Sequence, residues 1–202
     1  METITKEYKV YTFDELKPEV QQKVIDKFSQ RELEYDWWDN GILDCIKETL
    51  KNEYGIECVD IYFDLYRDNY LSLGKADITD IKKFLTKAGA EKWMIAQNLE
   101  EKGDRYWDTD LLEIDIIDIP GRPDFNKINI SHNGFIDTIY GEENEGDLEE
   151  EIGIDLSMFL KSILQEQLKR VKAEEEYIGS EENIKSLIEC NDYKFLENGE
   201  IF

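Results

Sequence analysis

The chain has 202 residues, 41% of them hydrophobic and 12% aromatic, which excludes wholesale disorder and suits one domain with a real core. Its 48 Asp and Glu against 24 Lys and Arg leave a formal charge of −24. A field of that sign repels nucleic-acid backbones and anionic membrane surfaces and attracts basic proteins, so direct binding of nucleic acid or membrane is not expected.

In chain order, the polar stretch Met1 to Val10 does not read as a signal peptide, and no apolar run approaches the length of a membrane span. A short strand is expected over Tyr8 to Phe13. Thr12 or Asp14 then caps a helix that runs on past Pro18, a residue tolerated in a first turn. Val20, Val24, Ile25, Phe28 and Leu33 form its buried stripe.

The next helix carries "YDWWDNGILDC" (Tyr35 to Cys45) and stops at Gly55. Trp38, Ile42, Cys45, Ile46, Thr49 and Leu50 follow helical rows and read as core. Trp37 lies about 100° away, on a row with Gly41, Asp44 and Glu48, at the rim of an acidic face.

"IECVDIYFDLY" alternates: Val59, Ile61, Phe63 and Leu65 face one way, and Asp60, Tyr62, Asp64 and Tyr66 the other. This is a half-buried strand, and "RDN" turns it into the partner "YLSLGK". Helices are expected over Thr79 to Leu85 and Ala90 to Leu99. "LLEIDIIDI" is a strand, Pro120 to Asp124 a loop, and "INISHNGFIDTIY" a hairpin around Asn133-Gly134.

Ile136 to Asp155 holds nine acidic residues and no basic one, and reads as an exposed loop leading into a helix. From Leu156 to Val171 that helix buries Phe159, Leu160, Ile163, Leu164 and Leu168 and turns Lys161, Lys169, Arg170 and Lys172 outward. Ser180 caps a last helix, and "YKFLENGEIF" closes as a hairpin around Asn198-Gly199. With no internal repeat and no linker, the expectation is α+β: a single domain, residues 1–202, with an antiparallel sheet and hairpins packed by several helices.

Little in the chain points to catalysis. Cys45, Cys58 and Cys190 are widely spaced, form no C-x-x-C pair, and read as reduced core or semi-buried thiols of a cytoplasmic protein. The single histidine, His132, sits in "SHNG" and reads as a turn or surface residue. Phosphate-binding glycine loops are absent from the sequence. Asp108 and Asp110 have D-x-D spacing, which a hard cation could use, but the EF-hand register fails. No catalytic residue, cofactor or metal is expected.

An acidic surface has a use of its own. Carboxylates on alternate strand residues repeat every ~6.6–6.8 Å, a spacing comparable to phosphates along a nucleic-acid strand. A folded face of this kind, as at Asp60 and Asp64, is able to occupy a basic nucleic-acid groove.

"YTFDELKPEVQQKVIDKF", "YDWWD", "DIYFDLYRDNYLSL", "INISHNGFIDTIY" and the tail "EEEYIGSEENIKSLIECNDYKFLENGEIF" together resemble a family of small acidic proteins of bacteriophages and mobile elements, some labelled toxin-antitoxin stability proteins. Many relatives carry a glycine-rich stretch where this chain has "LYRDNYLSLGK". The resemblance supplies no catalytic residues. It implies the company of mobile-element genes, and hence an anti-restriction or anti-CRISPR type of inhibitor.

The expectation is therefore a non-enzymatic inhibitor that binds a basic host nucleic-acid-binding protein, a defence nuclease. Its acidic faces are placed at Asp36, Asp39, Asp44, Asp60, Asp64, Glu142, Glu143, Glu149, Glu150 and Glu151, with Trp37, Tyr62 and Tyr66 as aromatic anchors. Two alternatives are an antitoxin-like regulator that neutralises a basic toxin, and a carboxylate-metal enzyme built on Asp108 and Asp110.

Overall fold

Pro18 opens the first long helix, where its missing N–H costs nothing and its fixed φ suits a first turn. The computed structural model describes residues 6–34, 38–89, 112–119, 122–132 and 145–202. These form α1 (Pro18–Glu34), α2 (Trp38–Thr49), β1 (Ile56–Asp64), β2 (Tyr70–Ile78), α3 (Ile81–Lys87), β3 (Leu112–Ile119), β4 (Arg122–His132), α4 (Glu145–Ile178) and α5 (Glu181–Cys190). The four strands make one antiparallel sheet in the order β1-β2-β3-β4, so the chain is α+β, as its patterning indicates. It divides into two compact units, residues 1–42 with 171–202 and residues 43–170.

In the first unit Val24, Ile25 and Phe28 of α1 are buried with Ile184 and Ile188 of α5, and Phe195 is fully enclosed. The Phe28 ring meets Tyr193 and Phe195 edge-on at 5.4 and 6.3 Å. On the same helix the Arg31 guanidinium lies 4.2 Å from the Phe28 ring centroid and 2.8 Å from the buried Glu32 carboxylate. Ser180 caps α5 by accepting the Asn183 N–H at 3.2 Å. The tail turns at Gly199 (φ 87°), whose N–H donates to the Leu196 carbonyl at 2.9 Å.

The strand expected over Tyr8 to Phe13 is a single bridge. Tyr11 and Phe195 exchange backbone hydrogen bonds of 2.8 and 2.9 Å, and Phe195 also bridges to Ile201. The extended run ends there because Glu15 accepts the Thr12 backbone N–H at 2.8 Å and its hydroxyl at 3.1 Å, folding Phe13–Glu15 into a 3-10 turn. Those two bonds hold the Glu15 carboxyl below the usual carboxylate range.

In the second unit α2 buries Ile46 completely, widens into a π turn over Leu50–Tyr54, where Leu50 is fully enclosed, and stops at Gly55, whose φ is 71°. A Cβ on Gly55 would lie 2.7 Å from Asp80, so this position needs glycine twice over. Cys45, assigned to the core from the sequence, is exposed. It lies three residues from Glu48, on the solvated side of the helix, while the buried stripe narrows to Ile46 and Leu50. Cys190 is exposed too, and only Cys58 is half-buried.

The β3 strand matches the expected range. Pro120 to Asp124, however, is not all loop: β4 begins at Arg122, and Ile119 pairs with Arg122 next to a register irregularity at Asp118 and Ile119. Pro123 is tolerated because β4 is an edge strand among the described residues. The segment Ile128 to His132 pairs backwards with β3, so His132 is a strand residue opposite Leu112 and not part of a turn.

The acidic segment is corrected as well. α4 begins at Glu145, so Glu149, Glu150 and Glu151 are helical. Glutamate is a good helix former, and negative charge near a helix N-terminus complements the macrodipole, which outweighs Gly146 and Gly153. Further along, Leu160, Ile163, Leu164 and Leu168 are buried as expected. Phe159 is half-buried, 5.5 Å from the Phe84 ring and 6.2 Å from Tyr54. Arg170, expected outward, is half-buried and donates to Gln167 Oε1 at 2.8 Å and Thr49 Oγ1 at 3.1 Å. The helix expected over Ala90 to Leu99 and the Asn133-Gly134 turn lie outside the described residues.

Candidate protein-binding face of the first hairpin

β1 and β2 pair from Ile56↔Ile78 to Asp64↔Tyr70 with one lapse, at Val59 opposite Lys75. Lys75 has a left-handed backbone (φ 48°), which breaks the pleat at that point. Burial loses its alternation there: Ala76 and Ile78 are buried alternately opposite Ile56, whereas Leu71, Ser72 and Leu73 are buried in succession beside Ile61. A single alternating pattern therefore misplaces Val59, which is 60% exposed.

The far end of the hairpin is built by Asp64. Its Oδ1 accepts the backbone N–H groups of Tyr66 and Arg67, both at 2.8 Å, and Asn69 takes the positive φ (52°) that returns the chain into β2. Tyr66 is held at this bend and is 82% exposed. One strand back, Tyr62 lies across Gly74: a Cβ there would sit 2.6 Å from the tyrosine ring and 3.3 Å from Asp60 Cβ. Gly74 thus makes the bed on which a half-exposed aromatic ring rests. Asp60 and Asp64 are half-buried beside it. Cys58, on the same strand, has its thiol pushed up by burial.

The hairpin is fixed to the sheet by one register pair, Asp77↔Asp115, and by the Asn126 side chain. Asn126 Oδ1 accepts the Leu73 N–H and its Nδ2 donates to the Leu73 carbonyl, both at 2.8 Å and both buried. The amide acts as a segment of strand where β2 and β4 are not directly paired. Behind it, Ser157 of α4 accepts the Ile128 N–H at 3.0 Å. A cavity of about 210 Å³ opens between the hairpin turn and α4, lined among others by Asp68, Asn69, Asn126 and Lys161.

Of the residues singled out in the sequence, the structure gathers Asp60, Tyr62, Asp64 and Tyr66 on this one hairpin. Asp44 is exposed on α2, 3.9 Å from Lys47, and Asp39 is half-buried at the start of that helix. Asp36, Trp37, Glu142 and Glu143 lie outside the described residues, as do Asp108 and Asp110. The backbone of Trp38, Glu149, Glu150 and Glu151 is helical, and their side chains lie outside the described set. Among the described residues no three His, Cys, Asp or Glu are grouped to hold a metal.

Val59, Gly74 and Asn126 were not singled out. The single glycine in "YLSLGK" was the available signal, since glycine inside a strand marks a close approach; nothing in the sequence pairs Asn126 with Leu73.

No protein-family model, curated protein or solved structure matches the chain. No helix among the described residues is long and apolar enough to cross a membrane.

Proposed function

We propose that the chain is a non-enzymatic binding protein that engages a basic nucleic-acid-binding partner through the β1–β2 hairpin, in the manner of a mobile-element inhibitor of a host defence nuclease. The observation that supports this reading is the presentation of Tyr62 and Tyr66, 53% and 82% exposed, beside Asp60 and Asp64 on a chain of formal charge −24. The Tyr62 ring rests on Gly74, and the backbone of Tyr66 is fixed by the Asp64 turn, before any partner arrives. Aromatic anchors held this way lose little conformational entropy on binding, and each contributes about 0.5–2 kcal/mol against an Arg or Lys through cation–π contact.

The test is affinity capture from a nuclease-treated host lysate at stepped salt, read by mass spectrometry and repeated with Tyr62→Ala and Tyr66→Ala. One basic nucleic-acid-binding protein, released by salt, displaced by added DNA and lost with either variant, is the expected result. Capture of neutral proteins alone, or capture indifferent to both tyrosines, overturns the proposal.

A further inference from the structure

Sheets manage their exposed edges, and the two strands that are outermost among the described residues do so differently. β4 carries Arg122, Pro123 and Lys127, residue types that blunt an edge by charge and by removing a backbone donor. β1 is nine residues long, has no proline and no basic residue, and keeps Val59 60% exposed and Tyr62 53% exposed. These two lie three positions apart, so they point to opposite faces of the strand. An incoming strand meets apolar surface on both of its own faces. Among the described residues, no backbone hydrogen bond reaches Ile56 to Tyr62 from outside the β1–β2 ladder.

From this we infer that the outer edge of β1 is a docking edge, and that its occupant is an extended, basic segment of the partner protein, added to the sheet as a fifth strand. The inference rests on the reading given under Proposed function and deepens it by naming how the partner is held. Charge selects the occupant. β1 carries Glu57, Asp60 and Asp64, of which Glu57 is bridged to Lys51 at 2.7 Å, and Lys75 stands across the ladder on β2. The remaining balance is acidic.

A second copy of this chain pairing β1 to β1 sets acid against acid across the new ladder, which is destabilising. A lysine- or arginine-rich strand places opposite charges at the same positions. The edge is thereby closed to self-association and open to a basic strand, a specificity achieved by repulsion as much as by attraction.

The experiment uses the full chain and two synthetic ten-residue peptides of repeating Lys-Thr-Lys-Val, one unmodified and one N-methylated at alternate residues. The pair has equal charge and differs in the backbone donors that strand addition requires. Affinity is measured by fluorescence anisotropy, and amide hydrogen exchange is read residue by residue with the unmodified peptide at saturation.

The expected result is a tenfold or greater affinity advantage for the unmodified peptide, with exchange slowed tenfold or more at alternate amides of Glu57 to Tyr62 and unchanged along β4. Equal binding of both peptides, or protection elsewhere than β1, overturns the edge while leaving the charge-driven reading intact. No binding of either peptide also overturns the edge, and the lysate capture then decides the broader reading by itself. As a second check, Val59→Lys, which plants a blunting charge on the edge, should weaken the unmodified peptide at least fivefold at unchanged circular dichroism; unchanged affinity counts against the edge.

Discussion

Replacing Asn126 with alanine tests how the hairpin is held. The side chain is 5% exposed and supplies both partners for the backbone of Leu73, which is itself 1% exposed. Truncation leaves a buried N–H and a buried C=O unpaired, at about 1–3 kcal/mol each, or roughly 4 kcal/mol together. At about 2–4 °C per kcal/mol for a protein of this length, the melting temperature falls by about 8–16 °C. Urea unfolding followed by circular dichroism gives the free energy, and amide exchange at Leu73 locates it. Asn126→Asp adds a pH signature. The ionised carboxylate opposes the Leu73 carbonyl in a buried site, so its folded pKa is raised above the unfolded value. That variant is least destabilised below the unfolded pKa and loses stability as pH rises toward the folded one. A melting temperature for Asn126→Ala within about 2 °C of the parent, or a Leu73 amide that exchanges no faster, refutes the assignment.

Other expectations follow from single contacts. Gly74→Ala drives a Cβ to 2.6 Å from the Tyr62 ring, and because that ring is half-exposed it swings away; partner affinity should fall severalfold with little thermal change, measured by anisotropy and melting. Glu32→Ala removes the buried carboxylate on Arg31 and should cost about 1.5–3 kcal/mol in urea unfolding. Asp80 caps α3 through the Lys83 N–H at 2.9 Å, which holds its carboxyl below the usual range. The stability it lends is present above the ordinary aspartate pKa and is lost as pH falls through the lowered one, so exchange at the Lys83 amide should quicken in acid and Asp80→Asn should abolish that dependence. Iodoacetamide should label Cys45 and Cys190, both exposed, well before Cys58, whose thiol burial keeps protonated; equal rates by mass spectrometry contradict the strand placement.

What the sequence revealed was whatever is local. The stripe Val24, Ile25, Phe28, the Ser180 cap, the Gly55 stop and the β1–β2 partnership are each written within a few residues of one another, and each is present. Two of the misses have long-range causes. Val59 follows the alternation of its neighbours but faces solvent because Lys75, sixteen positions on in the chain, breaks the pleat across from it. Tyr8 to Phe13 has strand composition, yet pairing depends on Phe195, which offers a partner to Tyr11 alone. The start of α4 was hidden by two glycines inside an acidic run whose charge suits a helix N-terminus.

Net charge also misleads about the site. A count of carboxylates treats each as available to a partner, yet several in the described parts are committed to the fold. Asp64 holds the hairpin turn, Asp80 caps a helix, Glu15 folds the chain after Thr12, and Glu57 and Asp44 stand beside Lys51 and Lys47. Two of these sit on the hairpin that carries the proposed face, where they set its geometry first and its potential second. Reversing Asp64 to lysine would therefore remove the turn together with the charge. Tyr62 and Tyr66 have no such structural duty beyond resting on Gly74 and standing at the bend, so substituting them separates binding from folding where the carboxylates do not.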